Sequence, residues 1–102
     1  MKKLKAVPRV LKVKVCIKDI SAAIDSYNYG DGSYCPIARA MKRMYGDRPN
    51  ADYDRLQLTI NGQRAVYNPP QSATRFMKKF DTKRLVKPFL FNAKLSSFDA
   101  NN

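Results

Sequence analysis

An α+β fold, a small antiparallel sheet with two helices on one face, is what this sequence predicts, and three observations predict it. The stretches 9–18 and 56–68 alternate apolar and polar residues, the period of a strand buried on one side. The stretches 36–45 and 72–80 repeat apolar residues at the spacing of one helix face. The chain has 102 residues, of which 44% are hydrophobic, enough for one domain with a modest core.

Residues 1–8 form a basic lead-in, read as flexible and ending at Pro8. From 9 to 18, Leu11, Val13, Val15 and Ile17 share one side, while Lys12, Lys14 and Lys18 lie on the other, giving a strand whose open face is made of lysines. The stretch Asp19 to Tyr29 is ambiguous. Asp19 suits an N-cap, and Ile20, Ala23, Ile24 and Tyr27 fit a short helix, which is not counted among the main elements. Tyr29-Gly30-Asp31-Gly32-Ser33 has the composition of a loop.

The next helix carries the clearest signals. Pro36 fits the first helical position, where a missing N–H costs nothing. Cys35 or Ser33 would cap it, and Gly46 can close its last turn. Ile37, Ala40, Met41, Met44 and Tyr45 make its apolar stripe. Arg39, Lys42 and Arg43 lie off the stripe. Asp47 to Asn50 reads as a loop.

Leu56, Leu58 and Ile60 alternate with Arg55, Gln57 and Thr59. Asn61-Gly62 follows, and both residues accept the positive φ of a two-residue hairpin turn. That turn sets Ile60 opposite Gln63, Leu58 opposite Ala65 and Leu56 opposite Tyr67, so Arg64 goes outward with Thr59 and Arg55. Pro69 and Pro70 end the strand. A second helix starts at Ser72 or at the prolines, with Ala73, Phe76, Met77 and Phe80 inward and Arg75, Lys78 and Lys79 outward. A last strand runs from Val86 to Leu95, with Phe89, Phe91, Ala93 and Leu95 on one side. Residues 9–95 form the single domain, and 96–102 read as a frayed polar tail. The order strand, helix, strand, strand, helix, strand suggests a ferredoxin-like sandwich.

At Cys35-Pro36-Ile37-Ala38-Arg39-Ala40 the chain resembles small uncharacterised proteins encoded by bacteriophages and prophages. Their pattern is a Cys-Pro-Ile-Ala-x-Ala helix start, an alternating strand pair, a helix running into Phe-Asp, and a Pro-Phe-x-Phe strand. Here these are Cys35 to Ala40, Leu56 to Tyr67, Ala73 to Asp81, and Pro88-Phe89-Leu90-Phe91. The resemblance implies a phage accessory or virion gene product, placed in the host cytoplasm or the virion. It carries no activity and no catalytic residue.

The charge is the main functional clue. Lys and Arg number 20 against 8 acids, a formal charge of +12, and there is no His. All the acids are Asp. Such a domain attracts polyanions, and nucleic acid is the expected partner. The side chains expected to bind it are Lys12, Lys14, Lys18, Arg55 and Arg64 on the open sheet face, with Arg39, Lys42 and Arg43 on the helix side. The strands offer no aromatic base-stacking platform of the RRM kind, so the contacts would go to phosphates. The competing reading is docking on an acidic host or virion protein, for which Tyr29 and Tyr34 beside Gly30 and Gly32 suit a contact surface.

Catalysis finds little support. Without His or Glu the usual general bases are missing, and His-based metal sites are excluded. Asp52 and Asp54 are ordinary turn residues. Gly30-Asp31-Gly32-Ser33 lacks the GK[ST] ending of a phosphate loop. Cys35, at a helix start near Arg39, could be a lowered-pKa thiol, but a buried packing role is the simpler expectation. The protein is thus read as a non-enzyme without cofactor or metal, and no segment is long and apolar enough to span a membrane.

Overall fold

The computed structural model describes residues 7–26 and 35–99. Its elements run β1 (Val10–Val15), α1 (Ile17–Ser26), α2 (Pro36–Tyr45), β2 (Asp47–Ala51), β3 (Leu56–Ile60), β4 (Gln63–Asn68), α3 (Gln71–Asp81) and β5 (Phe89–Asp99). The fold is α+β, as the sequence indicates, with three helices rather than two among the described residues. The expectations for residues 1–6, the Gly30–Ser33 loop, Tyr27, Tyr29 and Tyr34 lie outside the described residues.

The five strands form one curled sheet in the order β1-β5-β4-β3-β2, and every neighbouring pair is antiparallel. A ferredoxin-like sandwich would set β1 inside the sheet, between β5 and β4; here β1 is an edge strand. The cause is the length of β5. Its first half, Phe89 to Lys94, pairs with β1. Its second half, Lys94 to Asp99, pairs with β4 across a bulge opposite Val66 and Tyr67. Residues 96–99 are therefore strand and not a frayed tail.

The hairpin forms as its turn chemistry dictates. Asn61 and Gly62 have φ of 52° and 78°, and Leu56↔Tyr67, Leu58↔Ala65 and Ile60↔Gln63 are the observed pairs. β1 stops earlier than its alternation suggests, because a helix start competes for the chain. The Asp19 carboxylate accepts from the Cys16 N–H at 2.8 Å, and the Cys16 carbonyl accepts from the Asp19 and Ile20 N–H groups. Asp19 is thus not the N-cap; it reaches back to the cap from the third helical position. Ile17 and Lys18 consequently lie in the first turn of α1, and Ile17 is 61% exposed.

The stretch Asp47 to Asn50, expected as a loop, belongs to strand β2, and the irregularity of that strand explains the difference. Arg48 has φ 46°, the register shifts between Asp47 and Asn50, and Pro49 needs no N–H partner on an outer edge.

One face of the sheet supplies Leu11, Val13, Val15, Leu56, Leu58, Ile60, Ala65, Tyr67, Phe91 and Ala93 to the core, and all three helices pack into the same cluster. α2 brings Ile37, Ala38, Ala40 and Met41, and packs against both edge strands, β1 and β2. α3 brings Ala73, Phe76, Met77 and Phe80. The Phe76 ring stacks on Phe89 at 4.6 Å, and Phe89 on Phe91 at 5.3 Å. The Tyr67 hydroxyl donates to the Pro8 carbonyl at 2.7 Å, which fixes the chain entering β1 and satisfies the one polar atom of a fully buried ring.

Replacing Phe76 by Ala should cost about 3–5 kcal/mol, a large part of the stability of a small domain. A thermal melt of Phe76→Ala matching the parent would show that α3 does not anchor the core through this ring.

Candidate nucleic-acid interface

The alternation in β1 carries a consequence for charge. Leu11, Val13 and Val15 are buried, so Val10, Lys12 and Lys14 stand on the opposite, open face. β5 continues that face. Lys94 lies opposite Val10, Asn92 opposite Lys12 and Leu90 opposite Lys14, and all six are exposed. This half of the open face holds three lysines and no acid. Among the described residues, no carboxylate pairs with the amines of Lys12, Lys14 or Lys94.

Toward β3 the face changes character. Arg64 is on the expected side, but its guanidinium is committed. It donates to the Arg48 carbonyl at 2.7 Å, to Thr59 Oγ1 at 3.2 Å and to Gln57 Oε1 at 3.4 and 3.3 Å. These bonds tie β4, β3 and β2 together. Arg55 is exposed and, with Asp52, Asp54, Asn68 and Ser97, lines an open hollow, so carboxylates stand beside its charge.

The remaining expected residues are spread over the helices. Lys18 is on α1 and not on the sheet. Arg39 is half-buried on α2, and Lys42 is exposed there. Arg43 binds inward: its guanidinium donates to Asp19 Oδ1 and Oδ2 at 3.2 and 3.0 Å and to the Lys14 carbonyl at 2.7 Å. Donating to the Asp19 carboxylate holds the Arg43 pKa above its ordinary value. Lys12 and Lys14 thus share a surface, with Lys94 beside them. Sequence reading missed Lys94. Its signal was the alternation with Ala93 and Leu95, but placing it beside Lys12 needed the β1–β5 pairing.

Cys35 caps α2. Its Sγ accepts from the Ala38 N–H at 3.4 Å, and burial pushes the thiol up from 9.0 to about 11. This is the opposite of nucleophile activation. Among the described residues no cluster of three or more Cys and Asp groups could hold a metal, and no helix is long and apolar enough to cross a membrane. The chain matches no protein-family model, no curated protein and no solved structure.

Native protein near pH 8 should show one slowly alkylated thiol, Cys35, while half-buried Cys16 reacts sooner. In Cys16→Ser, fast labelling of the remaining thiol would contradict the buried cap. A raised thiol pKa stabilises the fold below 9.0, and that contribution is lost as pH climbs through about 11, so Cys35 labelling should accelerate only in that alkaline range. Arg43→Ala should lower stability by about 1–2 kcal/mol, discounted for the partial exposure of the guanidinium. Denaturant titration measures this; an unchanged midpoint would make the Arg43 bonds incidental.

Proposed function

We propose that this protein is a non-enzymatic, phage-encoded binder of nucleic acid that grips backbone phosphates through the open face of β1 and β5. The observation that carries this reading is the acid-free patch of Lys12, Lys14 and Lys94 on one side of a two-strand ladder. Lys12 and Lys94 are diagonal cross-strand neighbours, about 7–8 Å apart, and Lys12 and Lys14 are alternate residues on one strand, about 7 Å apart. Three ammonium groups at that spacing can meet successive phosphates of one backbone. Lysine is a mobile point charge with no planar fork to read a base edge, so the grip would be insensitive to sequence.

The segment leading into β5 adds the exposed residues Arg84 and Lys87. Lys42, Arg75, Lys78 and Lys79 on the outer helix faces raise the field that draws a polyanion in without sharing the patch. The protein acts in this reading in the host cytoplasm or within the virion, as the shared helix-start and Pro-Phe-x-Phe motifs suggest.

Each phosphate contact on duplex DNA contributes about −0.9 to the slope of log K against log salt. Three contacts predict a slope of about −3, and the basic segment before β5 could raise it to about −5. Reversing Lys12 and Lys14 to Glu should flatten the slope by about 2 and weaken all sequences alike. Reversing Lys78 and Lys79 should do much less. Fluorescence anisotropy with labelled oligonucleotides at several salt concentrations reads both. If binding is absent, or neither reversal alters it, the charge serves an acidic protein instead.

A further inference from the structure

The basic patch is interrupted by apolar side chains that the fold leaves in water. Val10 is 51% exposed and stands opposite Lys94; Leu90 is 57% exposed and stands opposite Lys14. Leu85, in the segment ahead of β5, is 96% exposed between Arg84 and Lys87. None of the three contributes to the core, so folding does not account for them.

Their arrangement distinguishes among polyanions. A duplex presents phosphates and sugars outward and keeps its base faces stacked inside, so it offers Val10, Leu90 and Leu85 no apolar surface. A bilayer offers apolar depth, but it favours a contiguous wedge with cations around the rim. Here apolar and basic residues alternate as direct cross-strand neighbours. A single nucleic-acid strand alternates in the same way, with a charged phosphate and then an unpaired base of large apolar face.

We propose that the ligand of this face is single-stranded nucleic acid, its phosphates on Lys12, Lys14 and Lys94 and its bases against Val10, Leu90 and Leu85. The proposal rests on the nucleic-acid reading and narrows it to one substrate class. Aliphatic side chains contact a base face without reading its hydrogen-bonding edge, so the preference is for unpaired strands of any sequence. It is weaker per base than aromatic stacking would give.

The test compares three labelled ligands of equal length and label at low salt: a thymidine single strand, its duplex, and an abasic single strand. The thymidine strand should bind about tenfold tighter than either of the others, the increment of a few base contacts. Leu85→Ser together with Leu90→Ser should abolish that advantage while leaving the salt slope in place, because phosphate contacts remain. Both positions are exposed, so a thermal melt of the variant should match the parent, and the abasic comparison on the parent protein does not depend on it. Equal or tighter binding of the duplex, or equal binding of the abasic strand, overturns the single-strand assignment while nucleic-acid binding stands. Absence of salt-dependent binding to all three removes the nucleic-acid reading itself. Leucine-dependent binding to phosphatidylserine vesicles without preference for the thymidine strand would assign the patch to a membrane surface instead.

Discussion

A curled sheet that stops short of closing leaves two edges of unpaired backbone, and in this chain α2 lies against both. On the β1 side it covers the edge with side chains. The Tyr45 hydroxyl donates to the Lys12 carbonyl, the Arg43 guanidinium to the Lys14 carbonyl, and the Lys14 N–H points to Met44 Sδ at 3.3 Å. On the β2 side the helix ends at Gly46, whose φ of 110° lets the chain turn straight into Asp47. The inner side of the same helix buries Ile37, Ala38, Ala40 and Met41. Edge groups left open would recruit strands from other copies. On the β1 side α2 instead gives Lys12 and Lys14 partners while covering the core.

The anchorage of α1 depends on that arrangement. Arg43 leaves the edge of β1 and reaches Asp19, and Asp19 holds the Cys16 N–H at the start of α1. One guanidinium thus joins α2, the end of β1 and the first turn of α1. Toward the opposite edge of the sheet, the Tyr53 hydroxyl donates to Asp81, pushing the phenol pKa up to about 12, and Thr74 Oγ1 approaches the Tyr53 carbonyl at 3.4 Å. These contacts tie α3 to the segment between β2 and β3. The polar bonds lie around the margin of the core, where each fixes the placement of an element that apolar packing alone would leave free to slide.

Local chemistry was readable wherever one short-range rule dominated. The Asn61-Gly62 turn fixes hairpin register, Pro36 and Gly46 bound α2, and the stripe Ala73, Phe76, Met77, Phe80 gives the inner side of α3. What escaped depended on distant partners. β2 is composed of turn residues and is a strand because β3 pairs with it. Ser96 to Asp99 look like a polar tail and are held by β4. β1 could not be placed at the edge without knowing that β5 is long enough to serve two neighbours. The site shows the same division. Lys12 and Lys14 were legible from alternation in one strand. The commitments of Arg43 and Arg64 were not, because their acceptors are backbone carbonyls and side chains contributed by other elements.

Those commitments explain how a chain of such high positive charge presents only a limited basic patch on its sheet. A guanidinium donates in a fixed planar fork, so it can join several acceptors at once; Arg43 and Arg64 do this, and their donor groups are committed within the fold. An ammonium on a four-carbon stem is easily hydrated and poorly suited to such bridging, and lysines occupy the open face of β1 and β5. The period of the strand separates the two demands further. Leu11, Val13 and Val15 build the core from the same six residues whose alternate members, Val10, Lys12 and Lys14, face water. A change of charge at Lys12 or Lys14 removes no core contact, so the affinity of that face for a polyanion can vary while the packing beneath it stays as it is.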